Sequence, residues 1–130
     1  MTSPHYPILT EAMSLWSRGD REHGLGLLGR ALHDDNVDVR IRAADVIGDL
    51  AAAGDDGVPL LVEAIADADW RVRAHVCAAL GRRTADVFGR HASAALGAIR
   101  ALCQDPHDAV RTRASAILRR LGRPTEAQRG

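Results

Sequence analysis

Asp45 and Asp49 stand four residues apart, a spacing that sets two carboxylates side by side on one face of a helix. One such carboxylate could accept a proton while the other donates one, which is general acid–base chemistry. The same spacing describes an ordinary solvated helix face, and that plain reading outweighs the catalytic one. His75 and Cys77 are two residues apart, so on a helix they diverge and form no metal pair. The other histidines, His5, His23, His33, His91 and His107, make no HxH, HExxH or His–Cys spacing. No metal site and no cofactor are expected. G-x-S-x-G and Gly-rich phosphate loops are absent from the sequence. Gly24, Gly26 and Gly29 follow no strand signal, so they read as close-packing or weak-helix positions. The expected set of catalytic residues is therefore empty.

Positive charge comes from arginine alone: the chain has 17 Arg and no Lys. This excludes Schiff-base chemistry on lysine and Walker-type phosphate binding. Arg82, Arg83, Arg90, Arg113, Arg119, Arg120 and Arg123 suit phosphate contacts, which raises nucleic-acid binding as a reading. Against it stand a net charge of zero and few stacking aromatics: Tyr6, Trp16, Trp70 and Phe88. Trp70 follows a candidate cap residue, where it either covers the neighbouring turn or anchors a partner. Trp16 reads as core or cap. Cys77 and Cys103 read as small apolar fillers facing the core.

These residues must be positioned by some element, and composition narrows which. A chain of 130 residues, 46% hydrophobic and 3% aromatic, is long enough for one domain with one core. Abundant Ala and scarce aromatics favour helices over a β-sandwich or barrel. No apolar run reaches the ~20 residues of a membrane span, and residues 1–7 lack a signal-peptide pattern. Two cysteines are too few for a disulfide framework, which points to the cytoplasm. The Arg-only, Ala-rich usage points to a high-GC bacterial source.

The chain repeats itself. Val39-Arg40 recurs 33 residues later as Val72-Arg73 and 38 residues after that as Val110-Arg111. Between the first two units Leu27-Leu28 falls on Leu60-Leu61, Ala31-Leu32 on Ala64-Ile65, Asp34 on Asp67, and Ile47-Gly48 on Leu80-Gly81. Each unit reads as two helices. Leu28, Ala31 and Leu32 make one apolar stripe; Val39, Ala43, Val46, Ile47 and Leu50 make the next. Asp34-Asp35-Asn36, Asp67-Ala68-Asp69 and Asp105-Pro106 supply cap chemistry between them. Pro59 and Pro106 fit the first turn of a helix, and Gly48, Gly54 and Gly81 fall near helix ends. The expected fold is all-α, an α-α superhelix of about three helix pairs. Residues 8–19 form a capping helix, 20–53, 54–82 and 83–122 the three units, and 123–130 a flexible tail. The third unit carries an insertion, with Thr84 as its candidate cap.

The pattern Leu60-Leu61…Ala64-Ile65…Asp67…Asp69-Trp70-Arg71-Val72-Arg73…Ala78-Ala79-Leu80-Gly81 resembles the HEAT repeat, and more closely its PBS-lyase HEAT-like variant. The resemblance covers residues 20–122 and implies a solenoid. It does not transfer an activity, because relatives include scaffolds, a bilin lyase and DNA glycosylases of related architecture. It implies that Arg40, Arg73 and Arg111, with Asp34, Asp67 and Asp105, form ladders of ion pairs or helix caps between adjacent units. It also implies that the second helices line a concave face, where Arg42, Asp45, Asp49, His75, Arg82, Arg113 and Arg120 project, with Trp70 beside them. These eight residues are the expected binding set.

The favoured function is a small non-catalytic scaffold that binds a protein along this face and at the open ends of the stack. Ile117, Leu118 and Leu121 are expected to lie uncovered at the last end. An enzyme of the lyase or tailoring type, using the groove, is the alternative, and nucleic-acid binding through the Arg-rich half ranks third. No membrane partner is expected. Self-association through the apolar end or through charge-complementary ends is a further route, the latter because residues 1–69 hold 13 acidic and 5 basic side chains while residues 70–130 hold 4 and 12. In a solenoid, order along the chain becomes order in space, so this split predicts a dipole and head-to-tail attraction at low salt.

Overall fold

A computed structural model describes residues 6–50, 57–82 and 91–121 of the chain. Seven helices run through them: α1 (Pro7–Ser17), α2 (Arg21–Ala31), α3 (Val37–Leu50), α4 (Val58–Ala64), α5 (Trp70–Gly81), α6 (Ala92–Leu102) and α7 (Asp108–Leu121). The described residues contain no strand. The expected all-α stack of helix pairs is therefore the observed architecture. Thr84, Gly54 and the 123–130 tail lie outside the described residues.

Local chemistry sets the helix boundaries. Pro7 opens α1, where its missing N–H costs nothing. The chain then turns through Gly19 at φ 89°, a left-handed conformation that suits glycine. Asp20 caps α2 by accepting the backbone N–H of His23. Asn36 accepts from the Asp38 N–H at 2.9 Å at the start of α3, and Asp69 accepts from the Arg71 N–H at 2.8 Å at the start of α5. The third unit departs from expectation. Pro106 lies in the turn, two residues ahead of α7, and the cap is His107, whose Nδ1 accepts the Ala109 N–H at 3.1 Å. An imidazole nitrogen can do this work because it carries an in-plane lone pair, as a carboxylate oxygen does.

The helices pair as α2 with α3, α4 with α5, and α6 with α7. The second helices stack directly on one another, α3 on α5 and α5 on α7, while α1 packs along α2. Leu28, Ile47, Leu61, Val72, Val76, Leu80, Ile99 and Val110 are fully buried between these layers. Glycine permits the close approach of the second helices. A Cβ on Gly48 would lie 2.8 Å from the Ala79 Cβ, and one on Gly81 would lie 2.5 Å from the Ile117 Cδ1. Both are packing positions inside the stack.

Two further expectations change. Ile117 is 8% exposed, seated against Gly81, and Leu118 and Leu121 are half-buried against the core, so this trio does not form an uncovered apolar end. Cys77 is buried as expected, whereas Cys103 is half-buried at the end of α6, 3.8 Å from the Ser115 hydroxyl.

Candidate binding face

An arginine ladder fixes the register of the units. Arg40 on α3 donates through Nε and Nη2 to the Asp67 carboxylate at 3.0 and 3.3 Å, and Arg73 on α5 does the same to Asp105 at 2.6 and 3.0 Å. The third guanidinium nitrogen of each turns back to its own unit. Nη1 of Arg40 donates to the Asp34 carbonyl and Nη1 of Arg73 to the Asp67 carbonyl, both at 2.8 Å. The aspartates are themselves held, because Asp67 accepts from the Asp69 N–H and Asp105 from the His107 N–H, each at 2.9 Å. The side chains of Arg73 and Asp105 are only 13% and 3% exposed. The Arg73 guanidinium holds the Asp105 carboxyl below its usual range, against the opposing effect of burial.

The second helices carry the expected binding residues, and the structure pairs many of them with each other. His75 Nδ1 on α5 lies 2.9 Å from Asp45 Oδ1 on α3, and Arg82 donates to Asp49 at 2.7 Å. The two aspartates four residues apart are thus each matched by a cationic or proton-bearing group from the next unit, and no vacant acid–base dyad results. Arg42 donates to Asp38 at 3.0 Å and its guanidinium sits 5.7 Å from the Tyr6 ring centre. The Tyr6 hydroxyl donates to the same Asp38 carboxylate, which raises the phenol pKa and lowers that of the acid. Tyr6 and Asp38 were not among the expected residues. Neither recurs between units, so repetition gave no signal for them.

Toward the last unit the face changes character. Arg113 is exposed and reaches the Ala74 carbonyl at 3.4 Å, and Arg120 is exposed with no acidic partner among the described residues. Trp70 stacks on His107 with ring centres 3.9 Å apart and planes 8° from parallel, and it remains 39% exposed. It therefore bridges the turn of its own unit to that of the next. His107 thus performs two tasks, capping α7 and covering Trp70.

The spacing of the units also identifies the stripe that receives each following unit. Arg40, Ile41, Ala44 and Gly48 on α3 correspond to Arg73, Ala74, Cys77 and Gly81 on α5, and to Arg111, Thr112, Ser115 and Arg119 on α7. On α3 and α5 this stripe is mostly apolar and glycine lets the next helix in. On α7 it is hydrophilic, and an arginine stands where the glycine stood. That composition suits the water-facing side of a terminal repeat.

Open clefts lie elsewhere. One of about 320 Å3 separates α2 from α4 and is lined by Gly29, Leu32, His33 and Leu60 among others. Another of about 720 Å3 lies between α1 and α2, and one of about 550 Å3 lies along α7 beside Arg113. None of the three includes Asp45, Asp49 or His75. Among the described residues no group of three or more His, Cys, Asp or Glu side chains could hold a metal ion, and no helix is long and apolar enough to cross a membrane.

Comparison with known families agrees with this architecture. Residues 25–88 match the family described as HEAT repeats, and residues 70–121 match the one described as HEAT-like repeat. No curated protein matches the chain.

Proposed function

The chain carries HEAT repeats across residues 25–121, and from that premise we propose that it is a small non-catalytic scaffold binding a protein partner along the face built by α3, α5 and α7. HEAT repeats in general mediate protein interactions. The unit length of 33 residues and the Asp-x-Asp-Trp-Arg-Val-Arg turn favour the PBS-lyase HEAT-like subtype. One observation carries the functional reading. The titratable groups that could do chemistry on this face, Asp45, Asp49 and His75, hold adjacent units together by cross-unit contacts at 2.7–2.9 Å. Groups committed to register are poorly placed to turn over a substrate, and none of the three clefts described above encloses them. What the face still offers is arginine on its last unit, Arg113 and Arg120, and, at the start of α5, the half-exposed ring of Trp70. Such a surface suits a segment that is acidic at one end and offers an apolar contact at the other.

A cross-linking experiment tests this. Wild-type protein and a folded Arg113→Glu, Arg120→Glu variant serve as baits in nuclease-treated extract of the source cell. A protein cross-linked to α5 and α7 of the wild type and lost from the variant is the expected result. Equal cross-linking to both baits, or cross-links confined to α1 and α2, would sink the reading.

A further inference from the structure

The ladder has two filled rungs and one of each half-rung left over. Arg40 takes Asp67 and Arg73 takes Asp105, which leaves Arg111 at one end of the ladder and Asp34 at the other. Both keep the local geometry of a filled rung. Nη1 of Arg111 donates to the Asp105 and Pro106 carbonyls at 2.7 and 2.9 Å, as Arg40 and Arg73 anchor theirs. The Nε and Nη2 edge, which grips a carboxylate in the other two rungs, meets none among the described residues. Asp34 accepts the Asn36 N–H at 2.9 Å, the same two-residue turn that orients Asp67 and Asp105, and receives no side-chain guanidinium among the described residues.

We infer that Asp34 and Arg111 are complementary halves of one rung, and that a second copy of the chain completes it, with Arg111 of one copy gripping Asp34 of the next. The charges around each half agree with this. Asp34 is flanked by Asp35 and Asp38, whereas residues 91–121 hold five Arg and two Asp, one of them already taken by Arg73. The hydrophilic stripe on α7, Arg111, Thr112, Ser115 and Arg119, offers polar rather than apolar contact. The association is therefore weak, reversible and strongly salt-dependent. Because the two halves are different surfaces of the chain, the contact is heterologous and open-ended, giving short chains of copies rather than a closed dimer. The inference does not rest on the partner-binding reading above and stands if that reading fails.

The test is sedimentation velocity on the full chain at about 10 mM and about 500 mM salt, where the screening length falls from about 30 Å to a few Å. Mass that rises with protein concentration at low salt and returns to monomer at high salt is expected. Asp34→Arg and Arg111→Asp should each weaken association about tenfold or more through like-charge contact, and the two together should restore it. Circular dichroism checks that each variant folds. Should a reversal fail to fold, Asp34→Asn and Arg111→Gln must give the same loss. A monomer at both salt concentrations overturns the inference, as does association indifferent to either single change or folded double variants that stay monomeric. Arg111-dependent binding of polyglutamate or a DNA oligomer without self-association would likewise overturn it, by giving the guanidinium edge to a foreign anion.

Discussion

Arg73 and Arg82 each hold an aspartate from another unit, at 2.6 and 2.7 Å, yet their surroundings differ. The Arg73–Asp105 side chains are 13% and 3% exposed, those of Arg82–Asp49 45% and 73%. Arg73→Ala would strand a buried carboxylate and should cost about 3 kcal/mol, whereas Arg82→Ala should cost about 1 kcal/mol or less. Urea melts of both variants check this, and comparable losses would refute it. A second prediction concerns acid. The Arg71 side chain and backbone N–H hold the Asp69 carboxyl down to about 2. With the folded value below the unfolded one, near 3.8, the unfolded chain binds more protons between them. Stability from this cap is therefore full above pH 4 and drains as pH falls toward 2. Asp69→Asn should flatten that part of a stability–pH profile, and an unchanged slope would count against the cap. The ladder was readable beforehand because Arg and Asp recur in register. The His75–Asp45 contact was not, because it depends on which rotamer crosses from α5 to α3, and only one of the three units has the pair. The thiols form a third case. Burial pushes the Cys77 thiol up to about 11, so it should resist a neutral-pH thiol reagent in the native protein while half-buried Cys103 reacts first. Labelling followed by peptide mapping decides it, and prior modification of Cys77 would be the contrary result.

Helix α5 is pressed on both sides, and glycine is the means. Gly48 on α3 faces Ala79, whose Cβ and Cα would lie 2.8 and 3.1 Å from an added methyl. Neither atom can rotate away, so Gly48→Ala must push α3 and α5 apart. The overpacking cost of about 1–3 kcal/mol should exceed the gain of about 1 kcal/mol in helix propensity. Gly26 on α2 supplies the control: it is exposed, with nothing within 4 Å of an added methyl. Gly26→Ala should therefore raise stability by about 0.5–1 kcal/mol. Thermal melts that move in opposite directions for the two variants are expected, and a stabilised Gly48→Ala would show that the stack is looser than described. Both glycines sit in helices, and helical period alone cannot separate them. Their equivalents across units do. Gly48 recurs as Gly81, while Gly26 falls on Pro59, a helix-opening residue. Element type was readable from apolar spacing, and the caps of α3 and α5 from Asp and Asn. The cap of α7 was missed because His107 took a place held by Asn36 and Asp69 in the earlier units.

Along the stack, charge is not simply split between two ends. Residues 1–33 hold three acidic and three basic side chains, and the acidic excess lies within residues 34–69, which hold ten acidic and two basic. Along the sequence the charge therefore runs from balanced, through acidic, to basic. The overall split was readable by counting. The place of its acidic part depends on α1 and α2 forming a hairpin of their own ahead of α3. Three of these middle acids, Asp67, Asp45 and Asp49, are also spent on cross-unit contacts to Arg40, His75 and Arg82. Stability should follow the same linear order, because in a repeat stack each unit draws stability from its neighbours and an end unit has only one. Helix α5 has seven buried residues of twelve, α7 three of fourteen and α1 two of eleven. Opening α5 must expose both α3 and α7, whereas opening α1 exposes α2 and only the start of α3. Native-state hydrogen exchange should therefore give the slowest amides in α5, at the global unfolding limit, with α1 and the last turns of α7 exchanging earlier through local opening. In such a short stack the difference should shrink as urea brings global unfolding into reach, and all helices should merge onto one isotherm. Uniform protection at zero urea, or a maximum in α1 or α7, would mean that stability is carried by the ends and that the nearest-neighbour account of this molecule is wrong.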